Sequence, residues 1–210
     1  MRVPFTVVEP IKAARPFNKG PWSSGAAGPI TLTLTADATY TQDVYLLYGA
    51  DFHTVLEVDG APAFELWYDG VTPDILHLCM TFTGAEALAG KTITSANLTL
   101  YNKSGPNAGL STYTSKIQDT SDTPAVPSTS NVPTSWTSGE AKINTANPAV
   151  DAAVTWLVTA AVQTLANRAG WINGRVNAGV VVASAEFPEW IFHASNAASN
   201  LRPKLVVVYT

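Results

Sequence analysis

Apolar and polar residues alternate in short segments along most of the chain. Residues 30–35 read ITLTLT, which places three aliphatic side chains on one side of a strand and three threonines on the other. Turn residues such as Asp59-Gly60 and Gly105-Pro106 separate these segments. Further segments of strand character follow at residues 40–48, 54–58, 64–68, 75–82, 92–101, 110–117, 152–158, 178–184, 190–194 and 204–209. The pattern predicts an all-β, jelly-roll-like β-sandwich.

Two later segments differ from this pattern. Residues 159–169 have apolar residues at helical spacing, so we expect one short helix with Thr159 as its N-cap and Gly170 just past its end. Residues 119–137 are rich in Ser, Thr, Pro and Asp, and their prolines exclude a central strand. This stretch is predicted to be a long loop.

The first 29 residues contain several prolines and glycines and have no usable period, which predicts an extended N-terminal arm. Residues 30–210 then form one sandwich domain, a size that buries a core without disulfides. We expect no signal peptide, because Pro4, Glu9 and Pro10 interrupt the apolar residues near the start. No apolar run is long enough to cross a bilayer, so no membrane association is expected.

Charge is scarce and unevenly placed. Charged residues make up 13% of the chain, against roughly 25% in ordinary soluble domains. The arm carries a net charge of +3 and the remainder −7, giving the overall −4. No lysine or arginine occurs between Lys19 and Lys91, so the body repels nucleic acid and we expect none to bind. A basic arm on an acidic body is typical of a tether that docks on an acidic neighbour. The docking residues would be Arg2, Lys12, Arg15, Lys19 and Trp22.

Motifs that carry chemistry are missing from the sequence. It contains no nucleophile elbow, phosphate loop, dinucleotide fingerprint or paired-histidine metal motif, so we expect a non-enzyme without a cofactor. His77 and Cys79 share a strand face that zinc could use, but Cys79 is better interpreted as a core residue. Four residues of one strand parity could form a weak calcium patch or a solvated edge face, and no metal is predicted; they are Asp51, His53, Glu57 and Asp59.

Tryptophan positions suggest the candidate binding surfaces. Trp67 points to the same strand face as Glu65 and Asp69, an arrangement that could stack a sugar ring between two carboxylates. The same three residues could anchor a protein partner, or Trp67 could be covered by the chain's own loop. Trp156 and Trp190 occupy apolar strand parities and are expected in the core. Trp136 falls in the predicted loop, where an exposed tryptophan suggests docking.

The C-terminal part of the sequence resembles a known family. The motifs are VTAAVQTLANRAGW, NAGVVVAS and the closing FHASNAASNLRPKLVVVYT, with TITSANLTLY upstream. Over roughly residues 75–210 these are similar to β-sandwich modules of the DNRLRE type, which occur in bacterial surface proteins and tailed-phage structural proteins. The family pattern carries no catalytic residues. This chain has Leu157 where the family has an aspartate.

Two functions follow as expectations. The first is a phage virion structural protein: a capsid decoration (cement) protein on the capsid surface, docked on the major capsid protein by its arm and able to form a homo-oligomer such as a trimer. The alternative is a carbohydrate- or receptor-binding module of a phage fibre or cell-surface adhesin, with Glu65, Trp67 and Asp69 as the platform.

Overall fold

The computed structural model describes residues 28–47, 50–58, 63–66, 75–105, 112–121, 135–143, 148–183 and 190–210. Twelve strands and one α-helix occur in this part of the chain. They are β1 (Ile30–Thr35), β2 (Ala38–Leu47), β3 (Ala50–Val58), β4 (Ala63–Leu66), β5 (Ile75–Phe82), β6 (Ile93–Ser104), β7 (Thr112–Gln118), β8 (Trp136–Ile143), β9 (Ala153–Leu157), α1 (Thr159–Ala166), β10 (Val176–Ala183), β11 (Trp190–His193) and β12 (Lys204–Tyr209). None of the described helices is long and apolar enough to span a membrane.

The strands form two antiparallel sheets. The first sheet has the order β1-β12-β6-β11-β4, with β9 also paired to β6. Residues 97–99 of β6 pair with both β12 and β9, so these two strands lie on opposite sides of β6. The second sheet has the order β3-β2-β5-β10-β7-β8. The predicted all-β sandwich with one short helix is therefore confirmed, whereas the jelly-roll connectivity and the arm remain predictions.

A single hydrophobic core joins the two sheets. Leu98 of β6 and Leu205 of β12 meet Phe82 of β5 and Val180 of β10, all with no exposed surface. Trp156 and Trp190 are also buried there, as expected, and they pack with Phe192. Burial of one face of each sheet is what the alternating pattern requires, because a sheet must cover its apolar face.

The predicted long loop extends too far toward the C-terminus, because β8 begins at Trp136. Trp136 is half-buried rather than exposed for docking, and its ring lies over Gly179 of β10. The sequence of β8, WTSGEAKI, has no clean alternation, since a β-bulge interrupts its pairing with β7.

Thr159 is not the N-cap of α1. Val158 occupies that position and makes no side-chain cap, while its carbonyl accepts from the Val162 N–H. The Thr159 hydroxyl instead accepts from the Ala96 N–H of β6, at 2.9 Å. This side-chain hydrogen bond therefore extends the hydrogen-bonded ladder between β6 and β9 by one step, at the point where the chain leaves β9 and enters α1. Gly170 does adopt the expected left-handed conformation, with φ of 83°, four residues beyond Ala166.

Candidate interaction face

Much of the solvent side of the first sheet carries few charges. We use the term outer face for the positions of β1, β12, β6 and β9 that point away from the core. Every one of these side chains is exposed or half-buried, and Lys103 and Lys204 are the charged ones among them. The outer face consists of Thr31, Thr33, Thr35, Lys204, Val206, Val208, Ser95, Asn97, Thr99, Tyr101, Lys103, Ala153, Thr155 and Leu157.

Two contacts connect side chains of the outer face across neighbouring strands. The hydroxyls of Thr99 and Thr155 are hydrogen-bonded across β6 and β9 at 2.9 Å. The Lys204 ammonium lies 5.3 Å from the centre of the Tyr101 ring, close enough for a cation–π interaction. Because one of its two charges lies over an aromatic ring, the outer face has few charges that a partner would have to desolvate.

The solvent side of the second sheet is different, because the part of it formed by β5, β10 and the end of β7 is buried. Thr81, Asn177 and Gln118 form a hydrogen-bonded row across these strands and are at most 4% exposed. Cys79 on the same side has no exposed surface, which confirms its interpretation as a buried residue. Because this row is covered, we take the outer face of the first sheet as the candidate interaction surface.

One border of the outer face is the edge of β1 that no other described strand pairs with, which we call the free edge of β1. The Ala36 N–H donates to the Pro203 carbonyl, which fixes the phase of the β1–β12 ladder. In an antiparallel pair, hydrogen-bonded and non-hydrogen-bonded positions alternate. Residues 30, 32 and 34 therefore bond to β12, and the N–H and C=O groups of Thr31, Thr33 and Thr35 point away from the sheet. All three threonines are exposed.

The opposite border, where β9 meets β8, is closed. Two residues of β8, Gly139 and Glu140, oppose the single residue Ser115 of β7, which makes a β-bulge. The Ser115 hydroxyl donates to the Glu140 carbonyl at 3.0 Å. The bulge directs the Glu140 side chain to β9, where its carboxylate accepts from the Leu157 N–H at 2.8 Å. A carboxylate thus caps an N–H on the free side of β9.

The close approach of β8 to β9 requires a glycine at position 139. A Cβ built on it would lie 2.5 Å from Ser115 Oγ, 2.9 Å from Val158 Cγ1 and 3.0 Å from the Leu157 carbonyl oxygen. No larger residue fits without moving β8 away from β9. Beside this contact lies a groove of about 600 Å³, lined partly by Ser138, Glu140, Leu157 and Gln163. Gln163 is committed to the fold, because its amide bonds to Ile93, Lys91 and Asn167.

Three carboxylates of the described residues make contacts within the scaffold. The Leu157 N–H lowers the pKa of Glu140, and nearby Lys142 adds to the effect. A hydrogen bond from Arg168 lowers the pKa of Asp119 and ties α1's C-terminal side to the end of β7. His193 Nε2 lies 2.7 Å from Asp151 Oδ1 at the end of β11. Within the described ranges, no three His, Cys, Asp or Glu side chains cluster as metal ligands do.

The residues singled out from the sequence lie largely outside the described part of the chain. This applies to Arg2, Lys12, Arg15, Lys19 and Trp22 of the arm, and to Trp67 and Asp69 of the platform. The backbone of Glu65 is described: it lies in β4 and pairs with Ile191 of β11. The arm and the platform therefore both remain predictions.

The outer face and its two borders were not singled out from the sequence. The alternation ITLTLT signals a half-buried strand but does not show which edge of it is free. For Glu140, the neighbouring glycine and the broken alternation are the available signals of a bulge. Comparison with protein-family models gives no match, and comparison with curated proteins gives none.

Proposed function

We propose that this chain is a structural protein of a phage virion, a decoration protein that docks on the major capsid protein at the capsid surface. The observation that carries the proposal is the outer face, which spans four strands and presents only two charged side chains among its members, Lys103 and Lys204. Charged residues are depleted at the core of protein interfaces, because stripping them of water is costly. The phage context comes from the resemblance of residues 75–210 to DNRLRE-type modules.

The point at which residues 1–27 join the sandwich supports the same proposal. Gly28, Pro29 and Ile30 are exposed, and Ile30 begins the strand that borders the outer face. A partner seated on the outer face is therefore within reach of residues 1–27. The arm's charge of +3 would attract an acidic region of that partner, while the outer face would supply the contact area.

Two variants test the proposal on capsids stripped of the chain. We expect removal of residues 1–24 to weaken capsid binding at least about tenfold, since the arm's charges are lost. We expect Asn97→Lys, which places a charge at the centre of the outer face, to do the same. Binding is measured by co-sedimentation with the capsids over a range of protein concentrations.

The matched control is Thr164→Lys, which adds the same charge to an exposed position of α1 outside the outer face. It should bind within about twofold of the unaltered chain. Electron cryomicroscopy of the native particle gives an independent test. Density on the capsid lattice supports the proposal, whereas density confined to a tail or fibre tip contradicts it and favours the carbohydrate-binding alternative.

A further inference from the structure

The free edge of β1 is complementary to itself. Thr31, Thr33 and Thr35 direct their N–H and C=O groups outward at equal intervals, and no bulge interrupts the pairing of β1 with β12. Residues 28–36 contain no charged side chain. Native sheets usually protect an edge with a charge, a bulge or a proline within it, and none of these occurs between Ile30 and Thr35.

We propose that β1 pairs antiparallel with β1 of a second copy, around a twofold axis at Thr33, and so joins two first sheets into one. In this register Thr33 faces Thr33 of the second copy, and Thr31 faces Thr35 on each side. Each facing pair exchanges two backbone hydrogen bonds, as the phase of the β1–β12 ladder requires. All outward backbone groups of these threonines are then paired.

The side chains match in the same register. Threonine meets threonine on the solvent side, and such cross-strand pairs are favourable. On the core side, Leu32 of one copy faces Leu34 of the other, extending the apolar layer across the junction. No like charges meet at the twofold axis. The strand therefore fits a copy of itself in backbone phase, in side-chain polarity and in charge.

The size of the contact sets the expected affinity. One six-residue strand pair buries well under the ~1,000 Å² that a stable interface needs. We therefore expect a weak dimer, with a dissociation constant of roughly 0.1–1 mM in solution. The twofold axis is perpendicular to the sheet, so both outer faces lie on the same side of the dimer. If the proposed capsid role holds, one partner lattice could contact both faces at once, but the pairing itself does not depend on that role.

Disulfide trapping tests the pairing and its register in the full chain. In the proposed dimer the two Thr33 Cα atoms are about 5.5 Å apart, within the range that a disulfide spans. Thr33→Cys should form covalent dimers on mild oxidation. Thr31→Cys or Thr35→Cys alone should not form covalent dimers. In this register Thr31 of one copy faces Thr35 of the other, so the two cysteines of either variant lie four residues apart along the strands, a distance of about 14 Å. A mixture of these two variants should cross-link. The unaltered chain is the background control, since Cys79 is buried.

Opposite charges at Thr33 give a second test. Thr33→Lys and Thr33→Glu each place like charges across the axis, so each variant alone should sediment as a monomer at concentrations where the unaltered chain dimerises. An equimolar mixture of the two should restore the dimer. Thr33 is exposed, so both variants should fold, which circular dichroism checks.

Three results would overturn the proposal. One is Thr33→Cys cross-linking no faster than Thr31→Cys or Thr35→Cys. Another is Thr33→Lys sedimenting like the unaltered chain. The third is cross-linking of Thr33→Cys that appears only after residues 1–24 are removed, because the edge would then belong to the chain's own arm. Capsid binding that is unchanged by removal of residues 1–24 would count against the arm's docking role alone, and the pairing stands as long as Thr33→Cys cross-links.

Discussion

The two borders of the outer face differ in how the backbone N–H and C=O groups at a sheet edge are treated. A strand at the end of a sheet has backbone groups that lack partners within that sheet. At the β9 border, the Glu140 carboxylate occupies the Leu157 N–H, and a bulge around Gly139 bends β8 toward it. At the β1 border, the backbone groups of three threonines have no partner among the described strands, and β1 contains no charge and no bulge.

This difference indicates where the molecule can be extended. The β9 border combines a carboxylate, a bulge and nearby Lys142, three features that oppose the addition of another strand. Of these two borders, the regular one at β1 is the favoured place for pairing. The same asymmetry applies to the two sheets, since the polar row around Asn177 is buried while the outer face is exposed.

Proline substitution in β1 gives the largest expected contrast. Leu32→Pro removes an N–H that bonds to β12, and we expect it to lower the free energy of unfolding by about 3 kcal/mol or more. Thr33→Pro removes an N–H that points away from the sheet, so its cost should stay below about 1 kcal/mol. Chemical denaturation of both variants at protein concentrations below the dimer range measures the difference. Equal losses would show that the edge at Thr33 is not free.

Enlarging Gly139 should damage the closed border. Gly139→Val would force the new side chain against Ser115 and Val158, and we expect a loss of about 1–3 kcal/mol. For a chain of this size that corresponds to a fall in Tm of roughly 2–4 °C per kcal/mol.

Thr33→Val is the control for Gly139→Val, because it also introduces a valine but at an exposed position where no neighbouring atoms are crowded. Its effect should lie within about 0.5 kcal/mol. Thermal unfolding followed by circular dichroism compares the two. If Gly139→Val were as stable as Thr33→Val, β8 and β9 would not be packed as closely as their contacts indicate.

The strand at the open border, β1, was predictable from the sequence, whereas the bulged strand at the closed border, β8, was not. The ITLTLT alternation predicts β1 because one face of the strand packs on the core and the other meets solvent. In β8 the bulge shifts the alternation by one residue near Gly139, so neither period is visible in WTSGEAKI. Local patterns reveal strands only where pairing is regular.

The outer face was not predictable for a different reason. Its members come from β1 near the start of the sandwich and from β12 at its end, with β6 and β9 beside them. A period-two pattern shows which residues share a strand face, but it contains no information about strand order. The same limit explains Thr159, whose hydroxyl bonds to Ala96 of a strand that is distant in sequence.

Glu140 provides the smallest expected effect and the most direct probe of the closed border. The Leu157 N–H lowers the pKa of this carboxyl below the ordinary value of 4.5. Its contribution to stability is therefore fully present above pH 4.5 and is lost as the pH falls through the lowered pKa. Because the side chain is 37% exposed, solvent screening limits that contribution to well under about 1 kcal/mol.

Glu140→Gln should consequently be slightly less stable than the unaltered chain at pH 7, and the difference should disappear as the pH falls through the lowered pKa of Glu140 and its carboxylate becomes protonated. The amide chemical shift of Leu157, followed by NMR during acid titration, should report the ionisation directly, with a midpoint below 4.5. Asp119→Asn is the control: it removes another carboxylate of lowered pKa, held by Arg168 away from this border, and should leave the Leu157 titration unchanged. If the amide chemical shift of Leu157 does not change with pH, the Glu140 carboxylate does not accept from the Leu157 N–H. The bulge alone would then distinguish the β9 border from the β1 border.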